Sequence, residues 1–292
     1  MLQRASLLSR LWRWRHTKAG SIPVLPLCVL IVFVVVAILA SHLTNYDPVQ
    51  NDLDNPLQPP MWMTGGSGAH VLGTDSFGRD VFTRLLYGVR VSFLVAAFCL
   101  VIAVTIGTAV GIAAGYVGGW VDSLLMRIVD VLLALPMFLV ALVAAIAIGP
   151  SFRNLVLIVG LLLWPRIARL VRGEVLLLKH QDFVRYPKAI GVPPRAIMMR
   201  HLLPNVLPTV LVATTLEVGH VILLEASLSF LGAGIPPPQA SWGVMIADGR
   251  ALIATGWWVA LFPGISIVVV VMSWNALGDW IRDRFDPRAQ EG

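Results

Sequence analysis

The sequence predicts an all-α, polytopic membrane protein with about six transmembrane helices. Of its 292 residues, 57% are hydrophobic and only 13% are charged, whereas a soluble domain carries about 25% charged residues. A helix needs about 20 apolar residues to cross the hydrocarbon layer of a bilayer. Five runs meet this length, near 22–41, 91–117, 123–148, 205–231 and 256–280. We therefore expect lipid to surround much of the chain.

The first of these runs follows a basic segment, residues 1–21, which holds five Lys or Arg residues and no acid. A secretory signal also begins with basic residues, but its apolar stretch is about 7–15 residues long and ends at a cleavage site with small residues. The run at 22–41 is longer, and no convincing site follows it. It is therefore interpreted as a retained transmembrane helix whose N-terminus lies in the cytoplasm.

A sixth span, at 155–165 with its flanks, is marginal by length alone. The charges that follow it decide the question, since the stretch 166–203 contains eight Lys or Arg residues. Cations are enriched in cytoplasmic loops, and only a crossing near 151–170 keeps these eight inside. With six spans, 17 of the 22 cations are cytoplasmic. Both termini are then predicted to be cytoplasmic.

These spans divide the chain into segments. The basic N-terminus and first span are followed by an external loop, 42–90, which is rich in turn-forming residues and includes a short amphipathic piece near 79–87. A five-helix core is predicted over 91–280, with a cytoplasmic segment at 171–204, and a cytoplasmic tail over 281–292 completes the chain. The tryptophans of the second external segment suit the headgroup level of the membrane; they are Trp242, Trp257 and Trp258.

Within the second span, four glycines recur every fourth residue. At 100° per residue, such positions lie on one narrow stripe of a helix, where small residues let another backbone approach closely. The pattern predicts tight helix packing, with a partner in this chain or another. The glycines are Gly107, Gly111, Gly115 and Gly119.

Three prolines fall inside apolar spans, where a missing N–H and a steric clash interrupt the helix. Pro136, Pro165 and Pro263 therefore predict kinks or local breaks.

The residue pattern argues against several classes of function. A Walker A loop needs a glycine directly before its lysine, and none precedes Lys18, Lys179 or Lys188. Cys28 and Cys99 both lie in apolar runs, which excludes a disulfide scaffold and leaves too few thiols for a metal site. The basic residues flank apolar spans rather than forming a stripe with aromatics, so membrane topology explains the net charge of +6 better than nucleic acid does. We expect no catalytic site and no metal site on this chain.

Three acids and one histidine lie at or near membrane depth. An intramembrane carboxylate is expensive and by default faces a bundle interior or a watery path. Glu217 and Glu225 are eight residues apart, which is about 12 Å along a helix, and His220 lies between them. With Asp130, they are interpreted as candidate linings of a translocation path. One alternative is a structural carboxylate that is hydrogen-bonded to a neighbouring helix. The other is a carboxylate close enough to the membrane interface to stay hydrated.

The cytoplasmic segment 171–204 is long enough for two short helices with a break at 191–194, where Pro194 suits the first turn of the second helix. Its compact charge arrangement indicates a docking element for a cytoplasmic partner. A solvated basic loop that only enforces topology is the alternative.

A family resemblance rests on several blocks of sequence. Gly191, followed eleven residues later by Leu202, Leu203 and Pro204, resembles the Glu-Ala-Ala loop of binding-protein-dependent ABC importers. Further blocks resemble the C-type permease subunit of the oligopeptide and dipeptide branch of that family, in order from about residue 70 to the C-terminus. They are 72–80, 118–122, 127–136, 201–205, 224–232, 241–243 and 277–279.

One part of the loop departs from the family pattern. Arg185, Tyr186 and Pro187 stand at the Glu-Ala-Ala positions, and Lys188 and Ala189 follow them. Because proline cannot donate a backbone hydrogen bond, the helix is expected to start later or bend, and the partner surface is expected to differ from the family norm. The retained Gly191, Leu203 and Pro204 imply that the dock itself survives. These eight residues are the predicted ATPase-docking site.

The resemblance implies a type I ABC importer permease fold in the inner or plasma membrane. It implies a homologous B-type permease as partner, two ATPase subunits that bind the ATP and Mg, and an extracellular or periplasmic protein that delivers peptides. No cofactor is then expected on this chain. Nickel or another small solute is an alternative cargo. A proton-coupled secondary transporter working through Glu217, His220 and Glu225, or a purely structural subunit, are alternatives of other classes.

Overall fold

A computed structural model describes residues 22–285, and its regular structure is helical apart from one isolated bridge between Thr74 and Asp80. The all-α class is confirmed. The predicted basic segment 1–21 and the tail beyond residue 285 lie outside the described residues. In chain order the helices are α1 (Val24–Leu43), α2 (Val81–Val117), α3 (Gly119–Ala134), α4 (Met137–Ile148), α5 (Phe152–Leu178), α6 (Asp182–Ala189), α7 (Pro194–Ile197), α8 (Leu203–Phe230), α9 (Trp242–Gly249) and α10 (Trp258–Phe285).

The marginal sixth span is a continuous helix. Ser151 caps α5 by accepting a hydrogen bond from the Asn154 backbone N–H at 3.1 Å, and the helix is long and apolar enough to cross a membrane. The proline at its centre, Pro165, is buried and does not break it, and Pro263 likewise lies inside α10. The helix that this predicted crossing requires is therefore present.

The predicted span at 123–148 is instead broken into α3 and α4, which are bent by 85°. Leu135 is extended between them, with ψ of 138°, because a residue before proline avoids the helical region. Pro136 then begins α4, so the break predicted there is confirmed. Within residues 22–285, five helices could cross a membrane, or six if this bent pair is one span.

Helix α2 begins ten residues earlier than the predicted span at 91–117. Asp80 caps it, accepting from the Thr83 backbone N–H at 2.7 Å. The predicted amphipathic piece at 79–87 is thus the first turns of α2, and residues 81–90 do not belong to the external loop. With 37 residues, α2 is about 55 Å long at about 1.5 Å per residue. It therefore extends beyond the roughly 30 Å hydrocarbon layer.

The external tryptophans do not lie at a lipid surface, contrary to the expectation for Trp242 and Trp258. Both are buried: the indole N–H of Trp242 donates to the Leu85 carbonyl at 3.2 Å, and that of Trp258 donates to the Thr74 carbonyl at 2.9 Å. Because a buried indole N–H needs a partner, these contacts fasten α9 to α2 and the loop before α2 to α10.

A small apolar cluster lies at the opposite end of the bundle. It joins Val171 and Val175 of α5 to Val184 of α6, and includes Ile197 and Leu202 between α6 and α8; all five are buried. Val184 therefore joins the short helix α6 to the apolar cluster that the long helices share.

Candidate functional site

The segment between α5 and α8 forms two short helices, as the sequence indicates. Gly191 lies between them with φ of +84°, a left-handed conformation that only glycine adopts without strain. The Val192 N–H closes the turn by donating to the Pro187 carbonyl at 3.0 Å. Pro194 then occupies the first turn of α7. After α7, the π-helical turn Met198–Leu202 leads directly into α8.

The proline at position 187 does not delay α6, contrary to expectation. The helix begins at Asp182 and contains Pro187. The backbone N–H groups of Val184 and Arg185 both donate to the Gln181 carbonyl at 3.0 Å and close its first turn. The N–H that Pro187 lacks is therefore not needed to begin the helix.

Helix α6 has two distinct faces. Val184 is buried against the apolar cluster, whereas Phe183, Tyr186 and the C-cap residue Ile190 are 38%, 67% and 81% exposed. Spacings of three and four residues place the latter three on one side of a helix. An exposed apolar face on an otherwise charged helix indicates a surface for a protein partner.

The predicted docking residues are only partly brought together. Arg185, Tyr186, Lys188 and Ala189 are exposed on α6, and Gly191 is exposed in the following turn. Leu203 packs against the apolar cluster, and Pro204 is exposed at the start of α8. The α6 residues and Gly191 are therefore exposed around one short helix and the turn that follows it, on more than one face. Leu203 instead contributes to the packing beneath it.

The glycine stripe contacts α5 of the same chain. A Cβ added at any of three glycines would lie closer to a branched side chain than real Cβ atoms approach. Each distance is measured from the added Cβ. It is 2.7 Å from position 107 to Ile167 Cβ, 2.7 Å from position 111 to Val171 Cβ and 2.8 Å from position 115 to Val175 Cβ. The predicted tight packing is therefore made within the chain, and it runs towards the docking segment.

Gly119 does not belong to this stripe, so that prediction is wrong. Helix α2 ends at Val117, and Gly118 and Gly119 adopt φ of +71° and +57° where the chain turns into α3. A Cβ at Gly119 would meet nothing within 4 Å. The four-residue spacing continued in the sequence, but the helix did not.

Glu225 is fully buried and does not line a path within this chain, contrary to the prediction. The hydroxyls of Ser92 and Ser229 donate to its Oε2 and Oε1, each at 2.9 Å. A buried carboxylate needs such donors. Here they join α2 to α8, which is the structural role that remained as an alternative.

The other intramembrane acids pair with a row of arginines on α5. The arginines are spaced three residues apart and so follow one side of that helix. Each pairs with a carboxylate from another helix. The pairs are Arg166 Nη1 with Glu217 Oε1 at 3.4 Å, Arg169 with Asp130, and Arg172 with Asp122 through two hydrogen bonds of 2.5 and 2.7 Å.

Part of this arginine row is exposed. The side chains of Arg169 and Asp130 are 54% and 64% exposed, and that of Arg166 is 45% exposed. His220 is also exposed, on α8. Because charged side chains in spanning segments avoid lipid, this side of the bundle indicates contact with water or with another subunit. In the sequence, these arginines were used only to assign the cytoplasmic side of the chain. Their three-residue spacing could have indicated that they share one side of α5.

A second charge cluster, which the sequence did not reveal, lies at the end of the bundle away from α6. Arg79 and Arg84 are buried beside two carboxylates: Arg79 lies 2.7 Å from Asp75 and 3.2 Å from Asp248, and Arg84 lies 3.4 Å from Asp248. Burial raises the pKa of Asp248, and the two guanidinium groups oppose that rise. The cluster ties the external loop and the start of α2 to α9.

Among residues 22–285, no group of three or more His, Cys, Asp or Glu side chains is placed to hold a metal ion. The candidate site thus consists of the exposed short helix α6, the packed helices behind it and a half-exposed row of ion pairs.

These features are those of an all-α, multi-span membrane protein with a compact helical segment between two of its long helices. The family model described as binding-protein-dependent transport system inner membrane component matches residues 107–291, and the chain belongs to that family. A second model, described as the N-terminal TM domain of oligopeptide transport permease C, matches residues 11–60. The type I ABC permease fold implied by the sequence resemblance is confirmed.

Curated relatives extend this similarity over nearly the whole chain. The dipeptide transport system permease protein DppC of Escherichia coli strain K12 is 40% identical over 278 residues, which are 95% of this chain and 93% of the relative. DppC of Bacillus subtilis strain 168 is 37% identical, covering 94% of this chain and 84% of the relative. A putative peptide transport system permease protein of Brucella abortus is 39% identical, covering 96% and 90%.

Proposed function

We propose that this chain is one permease subunit of an ATP-driven importer of dipeptides or oligopeptides. It pairs with a homologous B-type permease to form the path, and two cytoplasmic ATPase subunits bind the ATP and Mg that power it. An extracellular or periplasmic binding protein delivers the peptide. Family membership and the names of the relatives support this role. The observation that carries it is α6, which is exposed on one face and joined through Val184 to the apolar cluster that the long helices share.

The packing of α6 supports a mechanical role. Val184 contacts the same buried cluster as Val171 and Val175 of α5, and Leu202 at the entry to α8 completes it. Interiors this densely packed transmit displacement rather than absorb it. A movement of α6 driven by ATPase closure would therefore tilt α5 and α8. Because α2 is packed against α5 along three glycines, α2 would move with them.

The ion pairs of α5 support a path on one side of the bundle. Arg166 with Glu217, and Arg169 with Asp130, place charges of both signs on a half-exposed surface in spanning segments. A peptide carries charges of both signs at its ends. Such a surface would suit its passage once the second permease closes the opposite side.

The proposed orientation follows from the cations. The docking segment and both termini lie in the cytoplasm, and the cluster that includes Asp75 and Asp248 lies on the outer side of the cell membrane. This orientation places α6 where an ATPase can reach it.

The test is uptake by the assembled importer. The chain is purified with its B-type permease and ATPases, reconstituted in vesicles, and supplied with binding protein and a labelled dipeptide. Uptake that requires both ATP and the binding protein is the expected result. Uptake driven by a proton gradient without ATP would overturn the proposal in favour of a secondary transporter.

A further inference from the structure

A cavity of about 260 Å³ lies beside the start of α2. The short helix α6 lies near the last turn of α2, so the cavity is at the opposite end of this long helix. Pockets that enclose small molecules measure roughly 300–1,000 Å³, so this smaller cavity suits one side chain better than a whole peptide. Its lining includes Tyr46, Asp47, Asp52, His70 and Asp80.

Two of the lining carboxylates have no counter-charge. Within residues 22–285, neither Asp47 nor Asp52 forms an ion pair, and no Lys or Arg lines the cavity. Their hydrogen bonds come from neutral amides of the same loop. Asp47 accepts from the Val49 N–H at 2.9 Å, and Asp52 accepts from the Asp54 N–H at 3.2 Å and from Asn55 Nδ2 at 2.8 Å.

One buried cation contacts this loop but is already paired. Arg84 Nη1 donates to the Pro48 carbonyl at 3.3 Å. Its guanidinium lies 3.6 Å from the Asp75 carboxylate and 3.4 Å from that of Asp248. The charge of Arg84 is thus compensated by carboxylates outside the cavity, so it does not neutralise those that line it.

His70 brings an unused acceptor to the cavity. Its side chain is only 8% exposed, and its Nδ1 lies 3.0 Å from Asp80 Oδ1. Because a carboxylate only accepts hydrogen bonds, Nδ1 carries the proton, and Nε2 of the neutral ring is an acceptor. Nε2 has no hydrogen-bond partner among the residues that the structure describes. This buried side chain therefore points to a ligand that donates a hydrogen bond.

An aromatic ring completes the lining. Tyr46 is 43% exposed, and the centroid of its ring lies 5.0 Å from that of His70. The face of an aromatic ring attracts a cation. A guanidinium or an ammonium has several N–H donors, which the carboxylates and the imidazole can share. Within residues 22–285 the acidic and imidazole groups are not placed to hold a metal ion together.

The cavity is preformed, because two stretches of the loop are held together. The Asp52 N–H donates to the Phe77 carbonyl at 3.0 Å, and Gly78 approaches the Asp52 carbonyl so closely that no Cβ would fit. The Trp258 indole fastens the same loop at the Thr74 carbonyl. A preorganised site binds at a lower entropic cost.

We infer that this cavity receives a lysine or arginine side chain of the binding protein that delivers the peptide. The inference rests on the proposed function for the identity of this partner. Charge complementarity favours a basic side chain, and the cavity lies at the far end of α2 from the surface assigned to the ATPases. Complementary charges speed encounter and fix the register of two docked proteins. One basic side chain held here would therefore orient the binding protein on the importer.

The experiment measures the affinity of the purified, dipeptide-loaded binding protein for the complete importer in lipid nanodiscs. Asp47→Asn removes a charge from the cavity and keeps an oxygen that can accept from the Val49 N–H. Asp47→Glu keeps the charge. The matched control is Asp54→Asn, which removes an exposed charge from the same loop outside the cavity. Each variant is compared with wild type at low and high salt.

We expect Asp47→Asn to raise the Kd about three- to fivefold, whereas Asp47→Glu and Asp54→Asn should stay close to wild type. Because salt screens exposed charges, high salt should weaken wild-type binding more than that of Asp47→Asn. Equal affinity of wild type and Asp47→Asn at both salt concentrations would overturn this inference alone. An importer that does not bind the binding protein at all would overturn the proposed function as well.

Two further outcomes would assign the cavity to another occupant and so overturn the inference. One is loss of the B-type permease from the Asp47→Asn complex, which would place the cavity at the interface between the permeases. The other is binding of the labelled dipeptide to the importer without the binding protein, weakened by Asp47→Asn, which would assign the cavity to the peptide itself.

Discussion

Arg172 holds Asp122 through two hydrogen bonds, of 2.5 Å from Nε and 2.7 Å from Nη2. The pair joins α5 to the first turn of α3, directly after the glycines that end α2. Paired hydrogen bonds between a guanidinium and a carboxylate are strong and fix geometry. The bend from α2 into α3 is thus held by a contact with α5, and the same helix carries the packing that leads to α6.

Loss of this pair should destabilise the bundle. Arg172→Gln leaves the Asp122 carboxylate without its cation, and we expect the free energy of unfolding in detergent to fall by about 1 to 2 kcal/mol. The matched control is Arg169→Gln, because its pair with Asp130 is more than half exposed on both sides. The control should cost less than about 0.5 kcal/mol. Equal losses in the two variants would show that the paired geometry at Arg172 adds nothing.

Glu225 and Glu217 should separate stability from transport. Glu225→Ala leaves the hydroxyls of Ser92 and Ser229 without their acceptor and opens a cavity, so unfolding should become easier by about 2 to 4 kcal/mol. Uptake per correctly assembled complex should be retained.

Glu217→Gln should leave the unfolding free energy nearly unchanged and lower peptide uptake, since Glu217 pairs with Arg166 in the half-exposed row of ion pairs on α5. Reversed effects would return Glu225 to the translocation path.

The glycine contacts should not accept a methyl group. In Gly111→Ala, the new Cβ would lie 2.7 Å from the Val171 Cβ, so α2 and α5 must move apart. Overpacking of this kind costs about 1 to 3 kcal/mol. The control is Gly173→Ala on α5, where a Cβ would meet nothing within 4 Å and where alanine should be neutral or slightly stabilising. Thermal unfolding of both purified variants measures the difference. A Gly111→Ala protein as stable as wild type would contradict the packing.

Features that depend on neighbouring residues were predictable from the sequence. The break at Pro136 follows from local backbone sterics, and the crossing by α5 follows from the cations after it. The close approach of α2 to another helix follows from the spacing of Gly107, Gly111 and Gly115, although the sequence did not say that α5 is the partner.

Features that depend on distant residues were not predictable. The span was predicted to begin at residue 91, but α2 begins at Val81 and includes the buried Arg84, whose partner Asp248 is 164 residues away. Glu225 looked like a path residue because Ser92, which satisfies it, lies 133 residues earlier. Trp242 looked like an interfacial residue for the same reason, since its acceptor at Leu85 belongs to another helix.

In the proposed mechanism, α6 and the turn at Gly191 transmit the movement driven by ATP hydrolysis to the membrane-spanning helices. The most direct test is the amount of dipeptide taken up per ATP hydrolysed by the reconstituted importer carrying Gly191→Val. Valine is strained at φ of +84°, so the turn must rearrange and α6 must shift relative to α5 and α8.

Gly68→Val in the external loop is the control, because φ there is not positive and a Cβ meets nothing within 4 Å. We expect normal assembly and continued ATP hydrolysis with strongly reduced uptake in Gly191→Val, and wild-type behaviour in the control. Uptake per ATP at the wild-type value in an intact Gly191→Val complex would contradict it.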